Sequence, residues 1–244
     1  MTDRRAELAG NLAKVEERIA AACAAAGRQR EEVTLIVVTK THPAEDVRIL
    51  SELGVRHVAE NRDQDAAPKA AACSGLPLSW HFVGQLQTNK VRSVVGYADT
   101  VQSVDRARLV TALSKEAVRA GREVGCLIQV ALDAERSAAG KSGLGERGGV
   151  SAEGVAELSG LVGEAPGLRL DGLMTVAPLT GPYAGRERAA FERLMDLSTD
   201  LRRAHPAATM VSAGMSADLE QAVTAGATHV RVGTAVLGVR PRLG

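Results

Sequence analysis

Aromatic residues are nearly missing from this chain: two Phe, two Tyr and one Trp stand among 244 residues. That scarcity argues against a surface that stacks nucleobases. An excess of one charge is missing too. The formal net charge is +1, so no basic face announces nucleic acid and no long charge block announces a tail. The three cysteines, Cys23, Cys73 and Cys126, are far apart and form no CxxC pair. They are expected to be reduced thiols of a cytosolic protein, packed as small apolar groups. No run of about 18 apolar residues occurs, so no membrane span is expected. Met1-Thr-Asp-Arg-Arg5 leads into a polar amphipathic stretch without the apolar core of a signal peptide. His42, His57, His205 and His229 lack ligand spacing, and no metal site is expected.

What is present is an alternation. A chain of this length can bury roughly 70–75% of its unfolded surface without disulfide or metal support. Leu8, Leu12, Val15, Ile19 and Cys23 recur at helical spacing, with Gly27 as a stop. Strand-like segments follow, centred on Leu35–Thr39, His57–Glu60, Ser79–Val83, Thr100–Ser103, Cys126–Ala131, Arg169–Thr175, Ala208–Ser212 and His229–Val232. Helical patterns lie between them: Leu109, Leu113 and Ala117 share one face, and so do Leu194, Leu197 and Leu201. Eight strands alternating with helices imply parallel pairing through crossovers. The count favours one closed (β/α)8 barrel over residues 1–244, with an extra N-terminal helix, ahead of a doubly wound sheet. The glycine-rich stretch Ala138–Gly149 reads as a long loop between strand five and the next helix.

In such a barrel, chemistry sits at the carboxyl ends of strands. Lys40 follows five apolar or β-branched residues at the tip of the first strand. Such a placement would withdraw its amine partly from water and free it as a nucleophile; a lysine that merely snorkels is the plainer alternative. Glu60 and Asn61 close the second strand, and Met174 and Thr175 the sixth. At the far end of the chain, Gly233-Thr234 opens a short helix, and Gly214-Met215-Ser216 opens another after Ser212. Helix openings after strands seven and eight bind phosphate. Arg231, between Val230 and Val232, points into the barrel if the valines face the helices, and must then find partners or an anion. If it meets a pyridine nitrogen it holds that nitrogen unprotonated, since arginine stays charged. His81, after a core Trp80, could serve as an acid–base or packing group. An amine at one end and an anion cradle at the other suit an aldehyde that carries a phosphate, of which pyridoxal 5′-phosphate (PLP) is the commonest.

Several blocks match a known family in order. Val37-Val-Thr-Lys-Thr41, Trp80-His-Phe-Val-Gly-Gln-Leu-Gln-Thr-Asn-Lys90, Gly172-Leu-Met-Thr175, Ser212-Ala-Gly-Met-Ser-Ala-Asp218 and Val230-Arg-Val-Gly-Thr-Ala-Val-Leu-Gly238 resemble motifs of the PLP homeostasis proteins, also called the YggS or PROSC group. The resemblance implies a barrel like the N-terminal domain of alanine racemase, with PLP held as an aldimine on Lys40. It places the phosphate on Ser216, Gly233 and Thr234, with Ser212 and Met215 in the same motif. Arg231 would face the pyridine nitrogen, and Asn61 and His81 would line the ring. It further implies a cytoplasmic carrier, with no settled catalysis, that supplies PLP-dependent apoenzymes. Two positions depart from the pattern: Arg62 stands where a tyrosine is usual, and Ala131 where an asparagine is common. A PLP enzyme such as an amino-acid racemase is the main alternative. It would need a second acid–base group, and neither Tyr97 nor Tyr183 sits in a motif; the chain stops at Gly244, just after strand eight, with no further domain expected to supply one. A Schiff-base aldolase acting through Lys40 without cofactor is a third reading. No apolar stripe is left over, so a monomer is expected.

Overall fold

The computed structural model describes residues 4–133 and 148–238. Eight parallel strands close on themselves in chain order. They are β1 (Thr34–Val38), β2 (His57–Glu60), β3 (Ser79–Phe82), β4 (Thr100–Val104), β5 (Val124–Gln129), β6 (Leu168–Met174), β7 (Met210–Ser212) and β8 (His229–Val232). The helices are α1 (Arg4–Ala25), α2 (Ala44–Glu52), α3 (Asp63–Ala72), α4 (Val91–Tyr97), α5 (Ala107–Ala120), α6 (Gly154–Glu164), α7 (Glu187–Ala204), α8 (Leu219–Ala225) and α9 (Thr234–Leu237). The expected (β/α)8 barrel is therefore the observed one. The glycine-rich stretch read as a loop lies mostly outside the described residues, as does Lys141.

Closure depends on the pairing of first strand with last. Thr34, Leu35, Ile36 and Val37 face His229, Val230, Arg231 and Val232 in register. Strands alternate their side chains between two faces, and the alternation is visible on β8. Val230 and Val232 pack with Leu8, Val15 and Ile19 of α1 and with Leu219 of α8. Arg231 therefore points the other way, into the lumen.

The ring of helices has an unusual member. After β8 the described residues form only the four-residue α9, too short to cover the barrel. Helix α1 takes that place and packs against α8, α9 and α2. Its side chains also satisfy carbonyls that a short helix leaves unpaired. Asn11 Nδ2 donates to the Val236 carbonyl at 3.1 Å, and an Arg4 guanidinium nitrogen donates to that of Leu237 at 3.0 Å. Arg18 donates to the Ser216 carbonyl at 3.0 Å and pairs with Glu220. Gly27 follows α1 at φ 67°, as its role as a stop requires.

A prediction follows from α1 being part of the core. Ile19 is fully buried, so Ile19→Ala should lower the unfolding free energy in urea by about 2–4 kcal/mol. A loss under about 1 kcal/mol, the range of ordinary surface positions, would show that α1 is an appendage.

Candidate functional site

Lys40 differs from the expectation in one respect. Strand β1 stops at Val38, and Lys40 stands not on the strand but at the corner of a turn. The His42 N–H donates to the Thr39 carbonyl at 3.1 Å and closes residues 39–42 into a tight loop. Thr41, next after Lys40, has φ 67°. Lys40 is exposed rather than half-withdrawn from water. The turn lifts it off the apolar strand, so burial is not what would favour its amine; its place on the rim is.

That rim is shared with the far end of the chain. Val37 pairs with Val232, so Val38 and Gly233 come next on neighbouring strands. A side chain built on Gly233 would meet the Val38 carbonyl at 3.3 Å. Thr234 Oγ1 donates to Ser216 Oγ at 3.3 Å, and the Ala235 N–H reaches the same oxygen at 3.4 Å. The two openings foreseen after β7 and β8 thus meet at one pair of hydroxyls. Helix α9 is four residues long, so its dipole is slight; hydroxyls and loop N–H groups, rather than a helix end, supply the capacity to hold an anion. Met215, in the same loop, is partly exposed. Its N–H donates to Asp218 Oδ1 at 2.5 Å, which fixes the loop's path. Gly214 sits at φ 86°, and its carbonyl accepts the Arg231 N–H at 2.9 Å.

The barrel lumen below this rim is polar. Arg231 is 4% exposed. It donates to Ser212 Oγ at 2.6 Å and to the Thr175 carbonyl at 2.7 Å. Ser212 Oγ donates to Gln102 Oε1 at 2.7 Å. Ser212 is on β7 and Gln102 on β4, three strands apart, so this bond spans the lumen. Gln102 Nε2 lies 3.0 Å from His81 Nδ1, and His81 Nε2 lies 3.0 Å from His57 Nδ1. One cation orients the whole row. Arginine only donates, so Ser212 Oγ accepts from it and must direct its own proton to Gln102 Oε1. The Gln102 amide then donates to His81 Nδ1, which leaves the His81 proton on Nε2, aimed at His57 Nδ1.

Burial sets the charge states. It holds the His81 imidazole at about 3, with positive potential from His57 and His229 adding to the effect. It brings His229 to about 4, assisted by His57 and Arg231. It lowers Arg231 to about 10, against the pull of Asp218, so the guanidinium remains charged at neutral pH. Among the described residues no carboxylate pairs directly with Arg231. Neutral acceptors alone are a poor return for a buried cation, and the arrangement leaves it suited to an acceptor that arrives from outside.

His81 has both ring nitrogens engaged inside the barrel, so it supports Gln102 rather than offering a free nitrogen to the rim. Asn61, just past β2, is half-buried. Gly84 packs so tightly on it that an added side chain would meet the Asn61 carbonyl at 2.0 Å. Beside them a cleft of about 520 Å³ opens between the loops after β2 and β3, lined by Asn61, Arg62, Asp63, Gln85 and Lys90. Arg62 therefore faces this cleft. Sequence reasoning missed Gln102, and it missed that Lys69 of α3 is buried. The signal for Gln102 was weak, since β4 reads Thr-Val-Gln-Ser-Val and other polar residues stand beside it; Lys69 looked like any solvated helix lysine. Among the described residues no three His, Cys, Asp or Glu side chains are grouped to hold a metal, and no helix is long and apolar enough to cross a membrane.

The neutral imidazoles make a prediction about pH. His81 and His229 bind protons near pH 6.5 only when the chain unfolds. The unfolded state therefore holds more protons between pH 6.5 and about 4, and stability must fall on acidification through that window. Each ring contributes up to about 1.4 kcal/mol per pH unit. Urea unfolding from pH 7 to pH 5, above the range of ordinary carboxylates, should show this decline; a flat profile would contradict two buried neutral rings.

Residues 10–241 match the family model described as alanine racemase, N-terminal domain. A pyridoxal phosphate homeostasis protein of Mycobacterium tuberculosis is 41% identical, over 98% of this chain and 95% of its own length. One of Escherichia coli is 34% identical, over 96% and 97%. Among solved structures, PipY of Synechococcus elongatus with PLP bound has a TM-score of 0.76 at 32% identity, covering 95% of this chain and all 100% of PipY. An alanine racemase of Clostridium difficile shares the fold at a TM-score of 0.69 and 16% identity, covering 97% of this chain but 58% of its own. An exposed lysine on the first strand's rim, hydroxyls on the eighth strand's rim and a full-length match all agree that the chain belongs to the alanine racemase N-terminal domain family, in the group of pyridoxal phosphate homeostasis proteins.

Proposed function

We propose that this protein binds pyridoxal 5′-phosphate at the carboxyl rim of its barrel and serves PLP homeostasis in the cytoplasm, holding the cofactor and releasing it to apoenzymes. The observation that carries the reading is the joining of three unlike groups at one end of one barrel. These are the exposed Lys40 amine, the Ser216–Thr234 hydroxyl pair, and Arg231, a buried cation whose acceptors among the described residues are neutral. PLP supplies an aldehyde able to condense with a primary amine, together with a phosphate and a ring nitrogen. Lys40 would provide the amine. Ser216 and Thr234, with the N–H groups of the Gly233 loop, would hold the phosphate. Met215 and Asn61 would border the ring.

Arg231 decides what kind of chemistry the protein favours. A guanidinium has donors and no acceptor, so toward a ring nitrogen it leaves that nitrogen unprotonated. An unprotonated ring withdraws electrons poorly, which mutes carbanion chemistry and suits storage better than turnover. Serine and a peptide carbonyl hold Arg231 in place, so it cannot swing away easily. Every group named comes from a single barrel, and the reading takes one chain as the functional unit.

Borohydride treatment of the PLP-loaded protein followed by peptide mass mapping should find the phosphopyridoxyl group on the peptide that contains Lys40. Lys40→Ala should lose both the label and the visible colour. The double variant Ser216→Ala/Thr234→Ala should bind PLP more weakly by about tenfold or more, the scale of one or two hydrogen bonds to a charged group. A label on a peptide lacking Lys40 would overturn the attachment, and unchanged affinity in the double variant would overturn the phosphate cradle.

A further inference from the structure

Four groups outside that binding set converge on the residue before Lys40. Thr39 is fully buried at the end of β1. Its N–H donates to the Ala59 carbonyl at 2.9 Å. Its hydroxyl donates to Glu60 Oε1 at 2.6 Å. Its carbonyl accepts from Lys69 Nζ at 2.8 Å as well as from the His42 N–H. Lys69 also pairs with Glu60 Oε1, so the bonds form a closed ring: Thr39 hydroxyl to Glu60, Glu60 to Lys69, Lys69 back to the Thr39 carbonyl. Glu60 is 0% exposed and Lys69 7%.

We infer that the Glu60–Lys69 pair is a positioning device for the Lys40 amine: it locks Thr39 and thereby maintains the turn that carries Lys40 over the barrel mouth. The inference rests on the reading of Lys40 as the attachment point. Two independent features support it. First, the turn is strained. Thr41 is β-branched and sits at φ 67°, a region such residues avoid, at a cost of order 1–3 kcal/mol. Strain of this kind persists only where the surroundings over-determine the backbone, and every polar group of Thr39 is tied. Second, a buried ion pair contributes little net stability over an apolar replacement of similar shape. What it does contribute is direction: Lys69 reaches from α3 across to the end of β1 and fixes one peptide plane. Glu60 holds the ammonium of Lys69 there, so Lys69 braces the turn without competing as an amine.

The double variant Glu60→Gln/Lys69→Met removes the ring without stranding a buried charge. Two readouts apply. In the unloaded protein, hydrogen exchange at the His42 amide should quicken by about tenfold or more, as the closing bond of the turn loses its support. When unloaded protein is mixed with PLP, the rate at which the cofactor becomes borohydride-fixable on Lys40 should fall by about tenfold or more, the size expected when a reacting group loses its orientation. Thermal melting and circular dichroism establish that the variant is folded, and Thr39→Val, which deletes only the hydroxyl link, provides a milder test in the same direction. Exchange and fixation rates within about twofold of wild type, in a folded variant, would overturn the device. If wild-type protein is itself labelled at another lysine, the attachment assignment fails, and the exchange measurement on unloaded protein still judges the brace.

Discussion

The ladder between β1 and β8 is the constraint on which the site depends. It sets Val37 beside Val232 and brings Lys40 and Thr234, almost two hundred residues apart in the chain, to the same rim. The ladder in turn needs its outer face covered. Because α9 is too short to do so, the first helix of the chain returns to cover it and ties its own side chains to Ser216, Val236 and Leu237. The beginning and the end of the sequence are therefore joined twice, once by backbone pairing and once by the helix laid over it.

Below the rim, the lumen follows a different logic from the usual layered apolar barrel. A single cation, Arg231, sets the direction of a row of hydrogen bonds that passes through Ser212, Gln102 and His81 to His57. Every member is neutral apart from the first. Such a row restrains its members because each is hydrogen-bonded to the next. It fixes where the guanidinium can lie, and hence what it can meet from above.

Much of this was legible in the sequence, and the failures have identifiable causes. The eight strand positions followed from β-branched runs punctuated by helical patterns. Their ends moved where a local turn took over. The Ala208 N–H bonds back to His205 and that of Thr209 to Ala207, so β7 begins only at Met210. The turn at residues 39–42 likewise ends β1 at Val38 and leaves Lys40 exposed, which no apolar pattern reveals. The inward aim of Arg231 was readable because valines flank it. Gln102 was not, since Thr100 and Ser103 make β4 polar on both sides of it and a strand pattern does not show what stands opposite across the lumen. Lys69 lies in the helix sequence Asp63–Ala72, where charged residues are usually solvated; only the packing of α3 beside β2, which carries the side chain to Glu60 and the Thr39 carbonyl, buries it.

The central claim is spatial: one ligand bridges an amine on the turn after the first strand, hydroxyls beyond the seventh and eighth, and an arginine inside the eighth. A crystal structure of the protein loaded with pyridoxal 5′-phosphate tests this most directly. The account predicts continuous density from Lys40 Nζ to the cofactor, the phosphate between Ser216 and Thr234, and the ring nitrogen toward Arg231. Density for the phosphate in the cleft of Arg62 and Lys90, with Lys40 free, would contradict it.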